Sequence, residues 1–506
     1  MKIEEMIVAN RADCSGCEAC ANICPKNAIT MTRDAEGFAY PKINSELCIE
    51  CGKCDATCPA LNYDKKIATA LPQVFIAIYL NDKILRHSSS GGVFSALSEI
   101  VLNDGGVVFG ASYDKNWRVV HTVARTPDEL ENLRGSKYVQ SQIGDVYRQV
   151  KDALKSTKVL FSGTPCQCVG LKNFLGEDYD NLLTVEVIYR GTPSPALWEN
   201  YIDELNSAHD IASINFRSKR NGWKETSYID IHFNDQGHMI TALPNHLYGR
   251  LFLRNLSLRP SCSSCKFRFP NGQADLSLGD AWGINDFAPE FYDNRGVSVV
   301  FIHTARGKDF FERANLKTQQ VKFVEAIDKN KFFISPTAPD SRREDFFAEL
   351  AKSKDWFATM QKYHAQDDEE IRKDTAKRNG ASFRKSLQEI LAPIRQQFSQ
   401  NVLVVSSIRE RESQKILEHF FEQNLKNCGV YFLQPKDEGQ FTCVENFSGA
   451  KINLKELTAL SDFIKKYNIA EVFVEKPLNF GESSTVIVDW LKNCGLPAKL
   501  FQAKKN

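Results

Sequence analysis

Residues 14–25 read CSGCEACANICP, and residues 48–59 repeat their pattern as CIECGKCDATCP. Both copies have the spacing C-x2-C-x2-C-x3-C-P, and the second copy begins 34 residues after the first. Eight of the fifteen cysteines therefore lie in one short segment of the chain. Such a concentration of thiols, with each group ending on a proline, indicates metal or redox chemistry rather than core packing.

The doubled spacing is that of segments that bind two 4Fe-4S clusters. Three thiolates of each copy take three corners of one cluster, and the cysteine before the proline crosses to the other cluster. The predicted ligand sets are Cys14, Cys17 and Cys20 with Cys58, and Cys48, Cys51 and Cys54 with Cys24. Between the copies, residues 28–31 and 38–41 flank a turn at Glu36 and Gly37 and are predicted to form two short strands.

A pair of structural zinc sites is the alternative interpretation, since four thiolates also suit zinc. Zinc motifs usually pair two C-x2-C knuckles across a longer gap, whereas three thiolates in each loop and two C-P endings favour iron–sulfur clusters. In such clusters the protein binds every iron. We therefore expect this segment to conduct electrons, and another part of the chain to exchange them with a substrate.

Composition places this segment in a larger globular chain. Of its 506 residues, 64 are Lys or Arg and 63 are Asp or Glu, so no global charge indicates a nucleic-acid or anionic-membrane binder. The sequence shows no export signal and no apolar run long enough to span a bilayer. We expect a soluble, cytoplasmic protein without a disulfide framework.

The predicted fold class is a multidomain combination of α/β and α+β structure. The predicted domains are a two-cluster ferredoxin domain at 1–64, two regions of a central α/β core at 71–157 and 158–345, a charged helical connector at 346–400, and a small α/β domain at 401–506. In the last domain, strands are predicted to start near residues 401, 429, 470 and 498, with helices at 411–426, 454–467 and 484–492, which favours a mostly parallel sheet. No glycine follows its first strand, so a docking role is as well supported as nucleotide binding.

A serine and glycine loop follows the first predicted strand of the central core, residues 73–79. The loop consists of Ser88, Ser89, Ser90, Gly91 and Gly92. It leads into a predicted helix from residue 93, where free N–H groups could hold a phosphate; the alternative is a simple helix cap. A second glycine turn consists of Gly135, Ser136, Lys137 and Tyr138. Arg134 and Lys137 add positive charge there, or are solvated at the surface.

A predicted strand from residue 158 ends in Gly163, Thr164 and Pro165, with Thr164 as the cap of a helix and Pro165 at its first position. Cys166 then lies in the first helical turn, where the helix dipole is expected to lower its pKa. Residues 182–195 repeat this strand–turn–helix pattern. Two such units predict neighbouring parallel strands whose turns open at one edge of a sheet, where ligands of such sheets bind.

Cys262 and Cys265 form a lone C-x2-C pair, which is half of a metal site. Cys166 is the first candidate to complete it and Cys168 the second. Further on, Asp275 and Asp280 could act as an acid or base, or bind backbone N–H groups as caps. Trp282 is interpreted as a packing residue, and no catalytic residue is assigned.

The motifs SSSGG, GSKY, GTPCQ, LRPSC-x2-C and GDAWG, in this order after a two-cluster segment, resemble the coenzyme F420 hydrogenase/dehydrogenase beta-subunit family. The resemblance covers about residues 1–345, and relatives include deazaflavin-dependent hydrogenase subunits and 7-hydroxymethyl chlorophyll a reductase. It implies FAD held by a flavin-binding core at the segments 88–92, 135–138 and 163–166. It also implies electron transfer between the flavin and the clusters.

One position departs from the family pattern. Family members commonly have a cysteine in the second strand–turn unit, where this chain has Tyr189. With Cys166, Cys262 and Cys265, that cysteine would complete a third 4Fe-4S cluster. Either Cys168 substitutes for it, or a ligand other than cysteine does, or the third cluster has been lost.

Three hypotheses for the function follow. The first is an FAD- and iron–sulfur-dependent oxidoreductase that takes electrons from a redox donor such as ferredoxin or a deazaflavin, or returns them, and acts on a small organic substrate. The second is an electron-transfer subunit without its own reaction, which docks on a partner enzyme. The third is a reductase in polysaccharide or secondary-metabolite biosynthesis. None of them requires nucleic acid or a transmembrane segment.

Overall fold

The computed structural model describes residues 2–62, 71–220, 222–223, 227–235 and 237–365, and six strands beyond them. The chain divides into two compact units, Met1–Phe383 and Arg384–Asn506. The predicted linker around residues 63–70, the connector residues 366–400 and the three helices predicted beyond residue 410 lie outside the described residues.

The helices of the first unit are α1 Ile3–Ala9, α2 Ala19–Ile23, α3 Lys53–Thr57, α4 Asp82–His87, α5 Val93–Asn103, α6 Pro127–Leu133, α7 Val146–Ala153, α8 Pro165–Leu175, α9 Pro195–Ala208, α10 Leu247–Leu253, α11 Ile284–Phe287, α12 Ala305–Arg313, α13 Phe323–Asp328, α14 Arg343–Lys352 and α15 Trp356–His364. Its strands are β1 Ile29–Arg33, β2 Ala39–Ile43, β3 Gln73–Tyr79, β4 Val107–Tyr113, β5 Val119–Ala124, β6 Val159–Gly163, β7 Leu182–Val187, β8 Ile211–Ser218, β9 Tyr228–Phe233, β10 His238–Ala242, β11 Leu276–Asp280, β12 Ser298–Ile302 and β13 Leu316–Gln320.

A mixed eight-stranded sheet is the centre of this unit, with the strand order β13-β3-β12-β11-β7-β6-β4-β5. Strands β4, β6, β7 and β11 are parallel to one another, and the strands outside them pair antiparallel with their neighbours. The predicted parallel pairing of the two strand–turn–helix units is confirmed, because β6 and β7 are neighbours. Alternate residues of β6 face opposite apolar cores, with Leu160 in one and Phe161 in the other.

The two predicted units start their helices differently. Helix α8 begins at Pro165 after Thr164, as the sequence predicts. After β7, however, Pro193 forms a bridge with Leu258 instead of opening a helix. Helix α9 begins at Pro195, where the Ser194 hydroxyl accepts the N–H of Leu197 at 3.2 Å. The longer turn leaves residues 188–193 at the end of the sheet.

The loop before α5 passes very close to the sheet at Gly91. The Gly91 carbonyl accepts the N–H of Tyr79 at 2.7 Å, and its own N–H donates to the Ser298 hydroxyl at 2.9 Å. A Cβ here would lie 2.2 Å from the carbonyl oxygen of Ala77 and 2.5 Å from the nitrogen of Ser298. The position therefore admits only glycine, because any side chain would separate β3 from β12.

The N-terminal segment carries the antiparallel pair β1 and β2, as predicted, and packs directly on the core. The buried Glu18 carboxylate accepts the N–H groups of Ile143 and Gly144, both at 3.0 Å. From the core side, the Arg148 guanidinium donates to backbone carbonyls of α2, including that of Asn22 at 2.7 Å. These bonds join the segment to the core through main-chain groups.

Arg259 makes the most buried of these connections. Its side chain is only 1% exposed, and it donates to the carbonyls of Cys14 and Ala39, both at 2.9 Å, and to Gln140 Oε1 at 3.0 Å. The guanidinium carbon also lies 4.4 Å from the centre of the Tyr40 ring. Arg259 therefore bonds the first cysteine loop, the β1–β2 pair and the core at once.

Helix α15 packs against α9, α10 and α14, in the core that also contains part of the N-terminal segment. Phe346, Phe347 and Leu350 are buried there. Helix α14 thus crosses the domain boundary predicted between residues 345 and 346, and the first part of the predicted connector lies within the core.

The second unit contains a six-stranded sheet with the order β17-β16-β15-β14-β18-β19. The strands are β14 Asn401–Val405, β15 Val430–Pro435, β16 Phe441–Glu445, β17 Lys451–Leu454, β18 Ile469–Glu475 and β19 Ala498–Phe501. The four predicted strands are present and mutually parallel. The antiparallel strands β16 and β17 were not predicted. Across the described part of both units, no helix has the length and apolar character needed to cross a membrane.

The substitution Gly91→Ala is expected to lower the free energy of unfolding by about 3 kcal/mol, because the added Cβ must push two strands apart. Gly110→Ala is the matched control, since a Cβ there would approach nothing closer than 3.5 Å, and should cost less than about 1 kcal/mol. Urea denaturation of the full chain measures both. Equal losses in the two variants would contradict the role assigned to Gly91.

Candidate functional site

A cavity of about 580 Å³ opens at the carboxyl ends of β6, β7 and β11. The turns after β6 and β7 both reach it, as the parallel pairing predicts. Most of the residues predicted from the serine and glycine motifs line it, namely Ser88, Ser89, Ser90, Gly92, Gly135, Ser136, Lys137, Tyr138, Gly163 and Thr164. Gly91 and Pro165 do not line the cavity: Gly91 packs against the sheet, and Pro165 begins α8.

The Ser88–Gly92 loop and the Gly135–Tyr138 turn are hydrogen-bonded to each other at the cavity wall. The Ser89 hydroxyl accepts the N–H of Ser136 at 2.7 Å and lies 3.0 Å from the Ser136 hydroxyl. The other two serine hydroxyls donate to backbone carbonyls, that of Ser88 to Ile84 and that of Ser90 to Val297, both at 2.8 Å. The serines therefore fix the shape of the loop through their hydroxyl groups.

The N-terminus of α5 faces the same cavity. Gly92 is the N-cap residue in the left-handed conformation (φ 78°), and no side chain caps the helix. The loop thus supplies the N-cap residue through Gly92, while none of its serine side chains bonds to the helix N-terminus. Val93, Phe94 and Ser95 of the first turn line the cavity, so the positive end of an eleven-residue helix is directed to it.

Arg134 and Lys137 are not solvated surface charges. The Arg134 side chain is 9% exposed, and its Nε donates to the Ser95 hydroxyl at 3.1 Å. Lys137 Nζ donates to the carbonyls of Asn132 and Arg134, both at 2.9 Å. Burial lowers the pKa of Lys137 to about 7. Arg134 thus places positive charge beside the cavity, and Lys137 adds to it in its protonated form.

His121 also lines the cavity, although no motif in the sequence indicated it. Its ring stacks on Phe161, with centroids 5.4 Å apart, and its Nε2 lies 3.0 Å from the carbonyl of Ser162. Burial lowers its pKa to about 4, so the ring is neutral and Nε2 carries the proton. Nδ1 is then an acceptor, and it is buried without a partner. An unsatisfied acceptor at a cavity wall suits a ligand that offers an N–H group.

Another part of the cavity wall contains an ion pair, and its tryptophan stacks on a second one behind it. Arg217 donates to both carboxylate oxygens of Asp280, at 2.8 and 3.0 Å, and Trp223 Nε1 donates to the same carboxylate at 2.9 Å. Trp282 lines the cavity and stacks on Trp223 with centroids 5.3 Å apart and planes 4° apart. Arg217, like His121, was missed because its partner lies far away in the sequence.

Asp275 lies outside the cavity and has a structural role. Its side chain is fully buried, and it accepts the N–H and the hydroxyl of Thr184, at 2.8 and 2.7 Å, and the hydroxyl of Thr304 at 2.7 Å. Burial raises its pKa, but nearby Lys172 and Arg306 and these hydrogen bonds hold it below the ordinary value. The cap interpretation therefore holds for Asp275.

Four thiols of the N-terminal segment surround one small cavity. They are those of Cys14, Cys17, Cys20 and Cys58, each at most 9% exposed, which is the first predicted ligand set. Burial and the neighbouring thiols raise the pKa of Cys17 and Cys20. In the described part of the chain, no three His, Cys, Asp or Glu side chains converge on one point as ligands of a single ion do. A 4Fe-4S cluster carries its irons at separate corners, so thiols around a shared space suit it.

The second predicted set lies nearer the surface. Cys24, Cys48 and Cys54 are half-buried and Cys51 is exposed. Burial, Asp55 and Cys48 all act to raise the pKa of Cys54, which places Cys48 and Cys54 near each other. On either side of Cys48, Leu47 and Ile49 are 51% and 57% exposed. Two exposed apolar side chains therefore lie beside this set.

A third group of thiols consists of Cys166, Cys262 and Cys265. The prediction that the helix dipole lowers the pKa of Cys166 is wrong. Burial, followed by the neighbouring thiols, raises it to about 12, although the Thr164 hydroxyl, 3.2 Å from its sulfur, acts in the opposite direction. The desolvation of a fully buried thiol outweighs the field of one helix end. The fourth candidate, Cys168, is buried elsewhere, with its sulfur 3.8 Å from the carbonyl of Val185.

Comparison with known families assigns most of the first unit. Residues 13–62 match a 4Fe-4S dicluster domain. Residues 74–148 and 156–329 match the N-terminal and C-terminal parts of the coenzyme F420 hydrogenase/dehydrogenase beta subunit. The N-terminal segment is thus an iron–sulfur domain of the ferredoxin type, attached to the two parts of a beta-subunit core.

The individual relatives have low sequence identity to this chain. One of the subunits of F(420)H(2) dehydrogenase from Methanosarcina mazei is 26% identical over 30% of this chain and 46% of its own length. Coenzyme F420-dependent sulfite reductase of Methanocaldococcus jannaschii is 23% identical over 60% of this chain and, again, 46% of its own length. The chain thus spans less than half the length of these two relatives. A chain of the F420-reducing [NiFe] hydrogenase complex from Methanosarcina barkeri aligns with 58% of this chain and 91% of its own length, at 17% identity and a TM-score of 0.36.

Stability is expected to fall as the pH falls from about 6.5 to 4. Burial lowers the pKa of His121 and His303 to about 4 and that of His246 to about 3, from an ordinary value of 6.5. Between pH 6.5 and these lower values, the three histidines bind more protons in the unfolded chain than in the folded one, so their contribution to stability is lost as the pH falls. His121 alone accounts for about 3 kcal/mol.

Thermal denaturation at pH values between 4 and 7.5 checks this prediction. His121→Phe keeps the aromatic stacking and should make the pH dependence less steep. His87→Gln, at an exposed position, should leave it unchanged. Burial raises the pKa of Glu18 and Glu186 to about 7, and these two carboxyls oppose the histidines in the wild type. The deciding result is therefore the comparison of variants: a pH dependence unchanged in His121→Phe would contradict the buried neutral His121.

Proposed function

Because the chain belongs to the coenzyme F420 hydrogenase/dehydrogenase beta-subunit family, we propose that it is an iron–sulfur flavoprotein oxidoreductase. In this proposal, electrons pass between two 4Fe-4S clusters in the N-terminal segment and FAD in the 580 Å³ cavity. The reaction is the reduction or oxidation of an organic substrate or of a deazaflavin of the coenzyme F420 type. FAD, when bound, supplies the exchange between one-electron and two-electron transfer.

One observation supports this proposal above the others: three separate motif loops meet at one cavity at the carboxyl edge of a parallel sheet. The Ser88–Gly92 loop, the Gly135–Tyr138 turn and the Gly163–Pro165 turn would hold FAD. The N-terminus of α5, which no side chain caps, would bind the phosphates, together with the Arg134 guanidinium and the protonated form of Lys137.

His121 fits the same ligand. FAD offers N–H groups on its ring systems, and the unpartnered Nδ1 of His121 accepts such a group without any change of protonation. The bond to the Ser162 carbonyl and the stacking on Phe161 hold the imidazole in this orientation. His121 would therefore position the cofactor rather than transfer a proton.

The two thiol sets would form the route of the electrons. The set of Cys24, Cys48, Cys51 and Cys54 lies near the surface, where the apolar Leu47 and Ile49 offer a contact area to a redox donor. The set of Cys14, Cys17, Cys20 and Cys58 is buried against the core. Arg259 Nη2 lies 3.8 Å from the sulfur of Cys14, and this positive charge would favour the reduced state of the inner cluster.

The wall formed by Arg217, Asp280 and Trp282 would face the substrate. A flat aromatic surface beside a neutralised ion pair suits a planar organic molecule. A cavity of this volume beside the proposed flavin position favours an enzyme with its own reaction over a simple electron carrier, which would expose the flavin edge to a partner.

Anaerobic purification of the full chain, followed by iron, zinc and flavin analysis, tests the proposal. We expect about eight irons in the N-terminal clusters and about one FAD per chain. Reduction of the bound flavin by chemically reduced ferredoxin should follow the loss of the oxidised cluster absorbance. A preparation that contains zinc and no flavin would overturn the proposal.

A substitution at His121 tests the proposed FAD site more directly than the cofactor analysis does. His121→Phe is expected to weaken FAD binding roughly five- to tenfold, the effect of one lost neutral hydrogen bond. The matched control is Tyr147→Phe, which removes a buried hydrogen bond to the Gln167 carbonyl near the same Phe161 ring but outside the cavity wall. Fluorescence titration of the flavin-free chain measures both. If FAD binding were weakened equally in the two variants, the Nδ1 of His121 would not take part in binding FAD.

A further inference from the structure

Several cations line the 580 Å³ cavity, and they differ in whether a carboxylate neutralises them. Arg217 forms its ion pair with Asp280 at 2.8 Å, and Lys329 Nζ lies 3.3 Å from Asp328. Arg190 also lines the cavity, but within the described part of the chain it forms no ion pair. The guanidinium of Arg190 therefore adds an unpaired positive charge to the cavity wall.

One nitrogen of this guanidinium is held by the protein, and the other two are not. Nη1 donates to the carbonyl of Leu253 at 3.0 Å and to Asn255 Oδ1 at 3.1 Å, and the guanidinium carbon lies 4.9 Å from the centre of the Phe332 ring. Leu253 and Phe332 line the cavity as well. Nε and Nη2 of Arg190 donate to no described residue. The side chain is thus fixed in position with one edge available, and such an edge binds both oxygens of a carboxylate.

The partial burial of this charge favours an anionic ligand. Arg190 is half-buried, and burial lowers its pKa to about 10. The guanidinium is therefore protonated at neutral pH, although it has lost part of its hydration. A desolvated charge is stabilised by an opposite charge in direct contact, and the described part of the chain provides no such partner for Arg190.

Direct contacts connect Arg190 to the wall proposed to face the substrate. Leu253, whose carbonyl accepts from Arg190, follows Phe252, and the Phe252 ring stacks on Tyr138 with centroids 4.6 Å apart. The Tyr138 hydroxyl in turn accepts Arg217 Nη1 at 3.3 Å. Arg190 and Arg217 are therefore joined through the end of α10 and one aromatic ring pair, and they belong to the same region of the cavity.

We infer that the substrate carries a carboxylate group, which binds to Nε and Nη2 of Arg190. The inference rests on the proposed function, because it names the substrate class of the same cavity. Arg190 supplies one positive charge, since Arg217 and Lys329 are already paired with carboxylates. A monoanionic carboxylate matches that charge, whereas a phosphate dianion would need a second unpaired cation. Because Trp282 presents an aromatic surface in the same cavity, the substrate class is a planar organic carboxylate.

Benzoate and benzamide are matched probes for this site, because they have the same shape and only benzoate is charged. In isothermal titration calorimetry of the full chain, benzoate is expected to bind at least about tenfold more tightly than benzamide, the effect of charge-assisted hydrogen bonds. Arg190→Gln should weaken benzoate binding about ten- to hundredfold and change benzamide binding less than about twofold. Unchanged benzamide binding also shows that the cavity of the variant has folded.

Lys331→Gln is the matched charge control. Lys331 Nζ lies 5.8 Å from the centre of the Phe332 ring that Arg190 also contacts, but the lysine does not line the cavity. Removal of its charge should weaken benzoate binding less than about twofold, because only a screened long-range attraction is lost. Arg190→Lys keeps the charge without the two-nitrogen edge, so it should retain benzoate binding only in part. If Arg190→Gln fails to fold, the comparison of wild type, Arg190→Lys and Lys331→Gln decides.

The flavin content and the FAD affinity of each sample are measured separately from probe binding. A flavin-free chain that binds benzoate through Arg190 would contradict the proposed function but not the carboxylate site. Equal affinity of the wild type for both probes, or an equal loss of both in a folded Arg190→Gln variant, would overturn the inference. It would also be overturned if Lys331→Gln lost as much benzoate affinity as Arg190→Gln, or if inorganic phosphate bound more tightly than benzoate. A loss of FAD affinity of about tenfold in Arg190→Gln would assign Arg190 to an FAD phosphate instead.

Discussion

The burial of one guanidinium, that of Arg259, is the interaction on which the arrangement of the sites depends. A buried charge is tolerated only when its donors are satisfied, and Arg259 meets this condition with the carbonyls of Cys14 and Ala39 and with Gln140. Its three contacts belong to the first cysteine loop, the β1–β2 pair and the core. Cys262 follows three residues later in the chain, so the same turn also places a thiol of the third group.

The thiol groups and the cavity share structural elements. Helix α8 contacts Cys17 at Gly170 and contains Cys166 in its first turn. It follows directly on the turn that reaches the cavity. The turn after β7 carries Tyr189 past the third group to the cavity wall. Because the thiol groups and the cavity share these elements, the distance between them is fixed. Neither site can move unless the sheet moves with it. This rigidity supports the proposed transfer between clusters and flavin.

Sequence patterns were reliable where a single local rule applies. The cysteine spacing, the strands β1 and β2, the parallel pair β6 and β7 and the start of α8 all follow from short-range patterns and were predicted. The pKa of Cys166 was predicted wrongly, because a helix end is visible in the sequence but the burial of a thiol is not. His121 and Arg217 carry no motif, since their importance comes from partners in distant strands.

The sequence by itself determined the ligand chemistry: eight cysteines in a doubled spacing, the glycine turns, and Tyr189 in place of a cysteine. These follow from residue type and local spacing, which the chain carries whether or not it is folded. Only the tertiary structure decided which thiols meet, that Cys168 faces away from Cys166, and that the motif loops enclose one cavity. The physical reason is that burial and long-range contact are properties of the packed sheet and helices, and no short stretch of sequence contains them.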